Sequence, residues 1–283
     1  MILVVGATGR LGGRIAKALL DRGEQVRVLV REGSSYEDAR AEIVRGDLKD
    51  PDSLRKACAG VDAVVTTANA IALGGDDTID SVDRRGNRNL IEAADMEGVG
   101  HFVFVSVLGA SPDHFVPFIK AKGETEEALK ASGMTWTILQ PDPFMDIWLP
   151  NVIGPALAGG DVTLVGEGRQ RHSLVAMRDV VAYAVAGLTQ EAAKNRAIQI
   201  GGARPVSWRE VVETFERVLG RDIHVDSVAI GEPVPGLPDF VVELMTSLEF
   251  YESPLDMTES AKTFGVEPTA LEDFARELVS TQP

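Results

Sequence analysis

The chain has 283 residues, 45% hydrophobic and 25% charged, and a formal net charge of −15. That length suits an α/β body with a smaller appended lobe. The charge sets the chain against nucleic acid, and no apolar run is long enough to insert in a membrane.

The first strand, from residue 2, runs into glycines 6, 9 and 12 and then into a helix. Such a loop offers bare backbone N–H groups and a helix N-terminus to a pyrophosphate. Gly6 closes the strand, Gly9 lets backbone approach phosphate, and Gly12 permits close helix-to-sheet packing. The expected cradle is Gly6, Ala7, Thr8, Gly9, Arg10, Leu11 and Gly12. Ile15, Ala18 and Leu19 then recur at helical spacing, and Gly23 stops the helix.

The second strand, 26–30, ends at Arg31. A carboxylate there would bond the ribose 2′-OH of NAD, whereas a planar cation suits a 2′-phosphate. Arg10 is placed to form the other jaw of that clamp, so NADP (NADPH) is favoured over NAD. Glu32 beside Arg31 keeps NAD open, and plain solvated arginines are the alternative. The third strand, 41–44, leads to Asp47 and Leu48, placed to touch adenine unless Asp47 caps the turn. Asp50 and Pro51 then start a helix that stops near Gly60. Cys58 within it reads as a small buried hydrophobe.

Residues 61–67 form the fourth strand, 80–97 a long helix, 102–106 a fifth strand of Phe and Val, 120–132 a helix, and 136–139 the sixth strand. Strands buried on both faces and joined by helices give a Rossmann-type doubly wound parallel sheet. The α/β fold thus splits into a cofactor domain, 1–150, and a smaller, interleaved C-terminal α+β substrate lobe, 151–283. In the lobe, short strands at 162–165, 173–175 and 198–200 alternate with helices. Two helices carry the capping-box patterns Ser207-x-x-Glu210 and Thr269-x-x-Glu272, and 232–238 is a stiff proline-bearing loop.

His101, His114, His172 and His224 share no ligand spacing with one another or with Cys58, so no metal site is expected. One cysteine permits no internal disulfide, and the first strand has no basic leader ahead of it, which together lead to a cytoplasmic expectation. The spacing says nothing of oligomeric state.

These residues resemble the NmrA-like atypical short-chain dehydrogenase/reductases. The likeness spans the chain through GATGRLG at 6–12, VLVRE at 28–32, GDLKD at 46–50, GNRNLIEAA at 86–94, FVFVSVLGA at 102–110, KGETEEALKASGMTWTILQPDPFM at 122–145 and FGVEPTALEDFARE at 264–277. That group holds NADP(H)-binding quinone reductases, isoflavone and phenylcoumaran benzylic ether reductases, and redox-sensing regulators. The resemblance implies that Ser106 polarises the acceptor oxygen and that Lys122 serves as base or ribose ligand. It also implies that Thr66, Thr67 and Ala68 line the nicotinamide ribose and that Pro141 and Phe144 hold the nicotinamide. Phe118 stands where the wider superfamily has its proton-donating tyrosine.

Each of these residues has an ordinary alternative: a surface Lys122 paired with Glu126, a Ser106 that caps backbone, and a Phe144 in the core. His114 and Tyr251 are weaker candidates for a proton donor. Trp148, Phe240, Met245, Phe250 and Tyr251 read either as an apolar pocket or as packing, and Asp179 as a first-turn charge on the helix 180–188. The expected activity is NADPH-dependent hydride delivery to a small apolar acceptor such as a quinone, an enone or a conjugated aromatic. The competing reading is a non-catalytic NADP(H) sensor, which Phe118 favours. Epimerase or dehydratase chemistry ranks below both because it leans on the missing tyrosine.

Overall fold

The computed structural model describes residues 1–71, 73–234 and 236–281. The order begins β1 (Ile2–Val5), α1 (Arg10–Asp21), β2 (Val26–Val30), β3 (Glu42–Arg45), α2 (Pro51–Cys58), β4 (Ala63–Thr66), α3 (Arg85–Met96), β5 (His101–Val105), α4 (Pro117–Lys130) and β6 (Thr135–Pro141). It continues with α5 (Met145–Leu157), β7 (Val162–Val165), α6 (Met177–Thr189), β8 (Arg196–Ile200), α7 (Trp208–Leu219), β9 (Val225–Val228), α8 (Asp239–Leu248), α9 (Thr258–Phe264) and α10 (Leu271–Ser280).

The chain forms two compact units, one of residues 1–141 with 180–199, the other of 142–179 with 200–281. The sequence places the division at residue 150. The units instead part directly after β6, and the chain returns to the first unit for most of α6 and β8.

In the first unit the strand order is β3-β2-β1-β4-β5-β6-β8. β1 runs parallel to β2 (Ile2 opposite Val26) and to β4 (Ile2 opposite Ala63), and β5 runs parallel to β4 and β6. Every residue of β1 and β5 is buried, as strands covered by helices on both faces require. The order reverses between β1 and β4, so the loops after these two strands flank the crevice where doubly wound sheets bind ligands. Leu3, Leu54, Leu90, Phe102, Phe104 and Leu129 anchor the core of this unit.

In the second unit β7 pairs parallel with β9, and α5, α7 and α8 contribute to a core around Leu149, Trp208, Val211, Phe215 and Met245. β9 escapes sequence reading because Val-Asp-Ser-Val is only four residues long and lacks period-two alternation.

Four sequence expectations are corrected. The helix at 80–97 begins as a π-helix over Ile79–Arg84 before continuing as α3. The helix at 120–132 starts earlier, with Pro117 in its first turn. Residues 173–175 form no strand. The Ser173 amide donates to the Asp142 carboxylate at 2.6 Å and its hydroxyl to the Ser253 carbonyl at 2.9 Å, and side-chain bonds of this kind compete with a ladder. The Ser207–Glu210 capping box forms, but Thr269 does not cap α10 and gives both its amide and its hydroxyl to Asp179, each at 2.8 Å. The loop at 232–238 contains Pro235, which lies outside the described residues.

Candidate cofactor and active site

The glycine loop is held together from inside. Gly6 has φ +88°, and a Cβ there would meet the Thr67 hydroxyl at 2.6 Å. A Cβ on Gly12 would lie 2.2 Å from the Gly6 carbonyl oxygen and 2.7 Å from the Thr67 hydroxyl. Thr67, expected beside ribose, therefore packs its side chain against the loop. α1 opens at Arg10 behind Gly9, with no capping side chain and no acidic residue in its first turn. Its positive dipole end is left for an anion, and the loop fits a pyrophosphate.

At the end of β2 the Arg31 guanidinium is paired with Asp77, which also binds the Lys49 ammonium. Arg45 donates to the carbonyls of Arg31 (2.9 Å) and Ser34 (2.7 Å), so three basic residues converge at this edge. Asp47 takes the capping role open to it, accepting the Lys49 amide at 2.8 Å. Leu48 is buried against α3, where its Cβ would lie 2.9 Å from one built on Gly86. Thr66 is fully buried with its hydroxyl 3.4 Å from Asn87 Oδ1, and its Oγ1 accepts the Ala68 amide at 3.3 Å.

Lys122 lies in the interior, its side chain only 3% exposed, which corrects the surface alternative. α4 carries it beneath the end of β5, where Nζ donates to the Val105 carbonyl at 3.2 Å. The aromatic rings of Phe104 and Phe118 stand 4.9 and 5.4 Å from Nζ. Its counter-ion is Asp83, from the π-helix, with Oδ1 at 3.9 Å. Asp83 Oδ2 accepts the Ala70 amide at 2.9 Å, while buried Oδ1 has no hydrogen-bond partner. Burial pushes the Lys122 ammonium below its ordinary range, opposed by the charges of Asp83 and Glu126. Burial likewise raises the Asp83 carboxyl, opposed chiefly by Lys122. Both shifts favour the neutral forms, so loss of water outweighs attraction across this gap. The lowered pKa makes the Nζ proton easier to lose than that of a free lysine.

Ser106 is buried at the end of β5, and its hydroxyl donates to Glu126 at 2.5 Å. The Gln140 amide bonds both oxygens of the same carboxylate, at 2.9 and 3.1 Å. Pro141 is buried, and its carbonyl accepts the Leu108 amide at 2.9 Å. Sequence reading missed Asp83, Asn87 and Gln140, and it saw Glu126 only as a surface partner. Asp83 and Asn87 stand four apart, as do Lys122 and Glu126, and these spacings were the available signal.

His114 accepts the Val116 amide on Nδ1 at 3.0 Å and stacks on Phe115, and burial lowers its pKa. Cys58 is buried, with its thiol pushed up to about 12 by burial. In the second unit, Phe144 is half-buried at the start of α5 and bridges Val175. Trp148 leans on Trp208 at 6.2 Å, and Tyr251 sets its ring edge-on to His172 at 5.3 Å. Phe240 and Phe250 are exposed, while Met245 belongs to the core. Asp161, His224 and Asp226 bring ligand atoms within 4.8 Å of one another on the surface, with His224 already paired to Asp226 at 3.3 Å. Among the described residues no helix is long and apolar enough to cross a membrane.

Residues 6–191, which take in the glycine loop and strands β2 to β6, match a family model described as NAD(P)H-binding. The chain belongs to the NAD(P)H-binding family. Among its relatives is an NAD(P)H azoreductase of Xenophilus azovorans, 30% identical over 256 residues and covering 88% of this chain and 86% of that protein. Another is the photosystem II assembly factor Ycf39 of Cyanophora paradoxa, 28% identical, covering 99% and 92%. The fold is shared with a new type of NADPH-dependent quinone oxidoreductase from Escherichia coli, at TM-score 0.82 and 20% identity over 98% and 99% of the two chains. Kinship with the NmrA-like atypical short-chain dehydrogenase/reductases holds within this NAD(P)H-binding family.

Proposed function

We propose that the chain is an NADPH-dependent reductase of a small, apolar, conjugated acceptor, of the quinone, enone or conjugated aromatic class. The observation that carries this reading is the Lys122 amine, kept inside the first unit between Phe104 and Phe118 with Asp83 behind it. A surface lysine would need no such burial, and a phenyl ring offers no proton where the wider superfamily has a tyrosine. Reduction of a ketone needs an acid at the developing alkoxide, worth roughly a hundred- to ten-thousandfold in rate. A quinone spreads the charge by resonance and tolerates the lack of one. The azoreductase relative, named for a conjugated acceptor, supports the same class.

In this reading the glycine loop and the start of α1 hold the pyrophosphate, and Arg31 and Arg10 favour the 2′-phosphate of NADPH over NADH. Arg31 then exchanges part of its pairing with Asp77 for phosphate. Asp47 and Leu48 border the adenine, Thr66 to Ala68 and Lys122 the nicotinamide ribose, and Pro141 the nicotinamide. The bound cofactor supplies the hydride. Lys122 holds the ribose hydroxyls and, with its lowered pKa, passes a proton at Nζ. Ser106 steadies this region through Glu126, having its one proton already committed there.

A second reading, a non-catalytic NADP(H) sensor, is favoured by Phe118 together with relatives named as assembly factors. NADPH oxidation at 340 nm against quinones, enones and azo compounds separates the two. Turnover abolished by Lys122→Ala supports the reductase, whereas tight NADPH binding without turnover on any acceptor supports the sensor.

A further inference from the structure

The second unit contains a buried chain of side chains that the proposed chemistry does not use. Asp142 is the first residue after β6, and its carboxylate lies 2.7 and 2.9 Å from the Ser253 hydroxyl. Ser253 Oγ lies 2.8 Å from His172 Nδ1, and His172 Nε2 lies 3.0 Å from the Leu248 carbonyl. All three side chains are buried, Asp142 and His172 almost completely.

Counting donors fixes how many protons this chain must hold. The Leu248 carbonyl can only accept, so His172 carries a proton on Nε2. The single Ser253 proton then serves either Nδ1 or Asp142. If it goes to Nδ1, Asp142 must be protonated and donate to Ser253. If it goes to Asp142, Nδ1 must be protonated and donate to Ser253. The two arrangements contain the same number of protons and interconvert by two short transfers through Ser253. Removal of one proton sets two lone pairs against each other at under 3 Å and opens a contact.

We propose that Asp142, Ser253 and His172 form a one-proton clamp, which fastens the turn after β6 and the segment 171–175 to the segment 248–255 while that proton is present. The clamp holds down the stretch bearing Phe250, 64% exposed, and Tyr251, which lies edge-on to His172. Burial raises the Asp142 carboxyl to about 7 and lowers the His172 imidazole, so the protonated carboxyl with neutral imidazole is the favoured arrangement. The other titratable groups at the clamp are Tyr251 and Glu252, the latter accepting the Arg171 amide at 3.3 Å. Arg171 itself faces Glu210, at 3.3 Å.

Asp142→Asn tests the clamp, because an amide donates to Ser253 as the protonated acid does and still accepts the Ser173 amide. The clamp of this variant is complete without a titrating proton. Between about pH 4 and pH 6.5 the unfolded His172 binds one proton, and so does the folded wild-type clamp, which therefore adds no pH dependence there. In the variant only the unfolded state binds it, so folding weakens tenfold for each pH unit below 6.5. The ratio of wild-type to variant folding constants is expected to rise about thirtyfold from pH 6.5 to pH 5. Urea unfolding followed by Trp148 and Trp208 fluorescence in a Trp136→Phe background reads this ratio. A ratio constant with pH overturns the clamp. If Asp142→Asn does not fold, the Asp142 carboxyl 13C and His172 imidazole 15N signals of the wild type at pH 6 decide. One ionisable proton shared between them supports the clamp, and a neutral imidazole beside an ionised carboxylate overturns it.

Discussion

Replacing Gly12 by alanine tests the glycine loop as a packed object as well as a phosphate cradle. The added methyl would stand 2.2 Å from the Gly6 carbonyl oxygen and 2.6 Å from its carbon, where real contacts stay beyond 3.0 Å. At least 0.8 Å (3.0 − 2.2) of movement between α1 and the end of β1 is needed, and both contacts are backbone. Overpacking of this kind costs about 1–3 kcal/mol. At about 2–4 °C per kcal/mol, that lowers the melting temperature by roughly 2–12 °C. Gly9→Ala is the internal control, since its methyl meets only the Gly6 oxygen, at 3.3 Å. Gly9→Ala should melt close to wild type yet bind NADPH poorly, because the methyl occupies the phosphate's approach, whereas Gly12→Ala should lose both stability and binding. Circular-dichroism melting with NADPH fluorescence titration reads the two separately. A Gly12→Ala protein that melts and binds like wild type would refute the packing argument.

Three further outcomes follow from the same geometry. Arg31→Ala should raise the dissociation constant for NADPH about tenfold, the low end for a charge-assisted bond at this half-exposed site, and leave that for NADH unchanged in a fluorescence titration. Lys122→Met leaves the buried Asp83 carboxyl without its partner and should destabilise the fold by about 1–3 kcal/mol, with Asp83→Asn restoring part of the loss. A double-mutant cycle by urea unfolding that finds no coupling would remove the buried pair from the account. Cys58, its thiol pushed up to about 12, should resist an aromatic disulfide reagent at pH 8 and react once urea exposes it.

The parts of this protein legible in its sequence are those whose physics is local. A glycine required because a Cβ would strike its neighbour within the same loop is written in one residue type, as at Gly6 and Gly12. The buried runs of β1 and β5 announce strands covered on both faces. Lys122 was visible as a residue, but its setting was not, because Asp83, Phe104 and Val105 reach it from other elements. Ser106 was legible as a strand-end hydroxyl, while its commitment to Glu126 depends on how α4 lies against β5. Ser207 and Thr269 show how far a motif carries. Both head the same four-residue pattern, yet only Ser207 caps its helix, because α10 opens with Ala270 at its N-cap and Thr269, one residue outside, spends its hydroxyl on Asp179 and on the Arg178 guanidinium. The π-helix that delivers Asp83 has no sequence signature distinct from that of the helix it opens.

Hydride transfer itself is tested most directly in a single turnover, with the protein loaded with NADPH and mixed rapidly with a quinone while absorbance at 340 nm is followed. The account predicts a decay of that absorbance in the wild type that is lost in Lys122→Ala. An absorbance that stays constant with every quinone, enone and azo acceptor, while fluorescence shows NADPH bound, would contradict it.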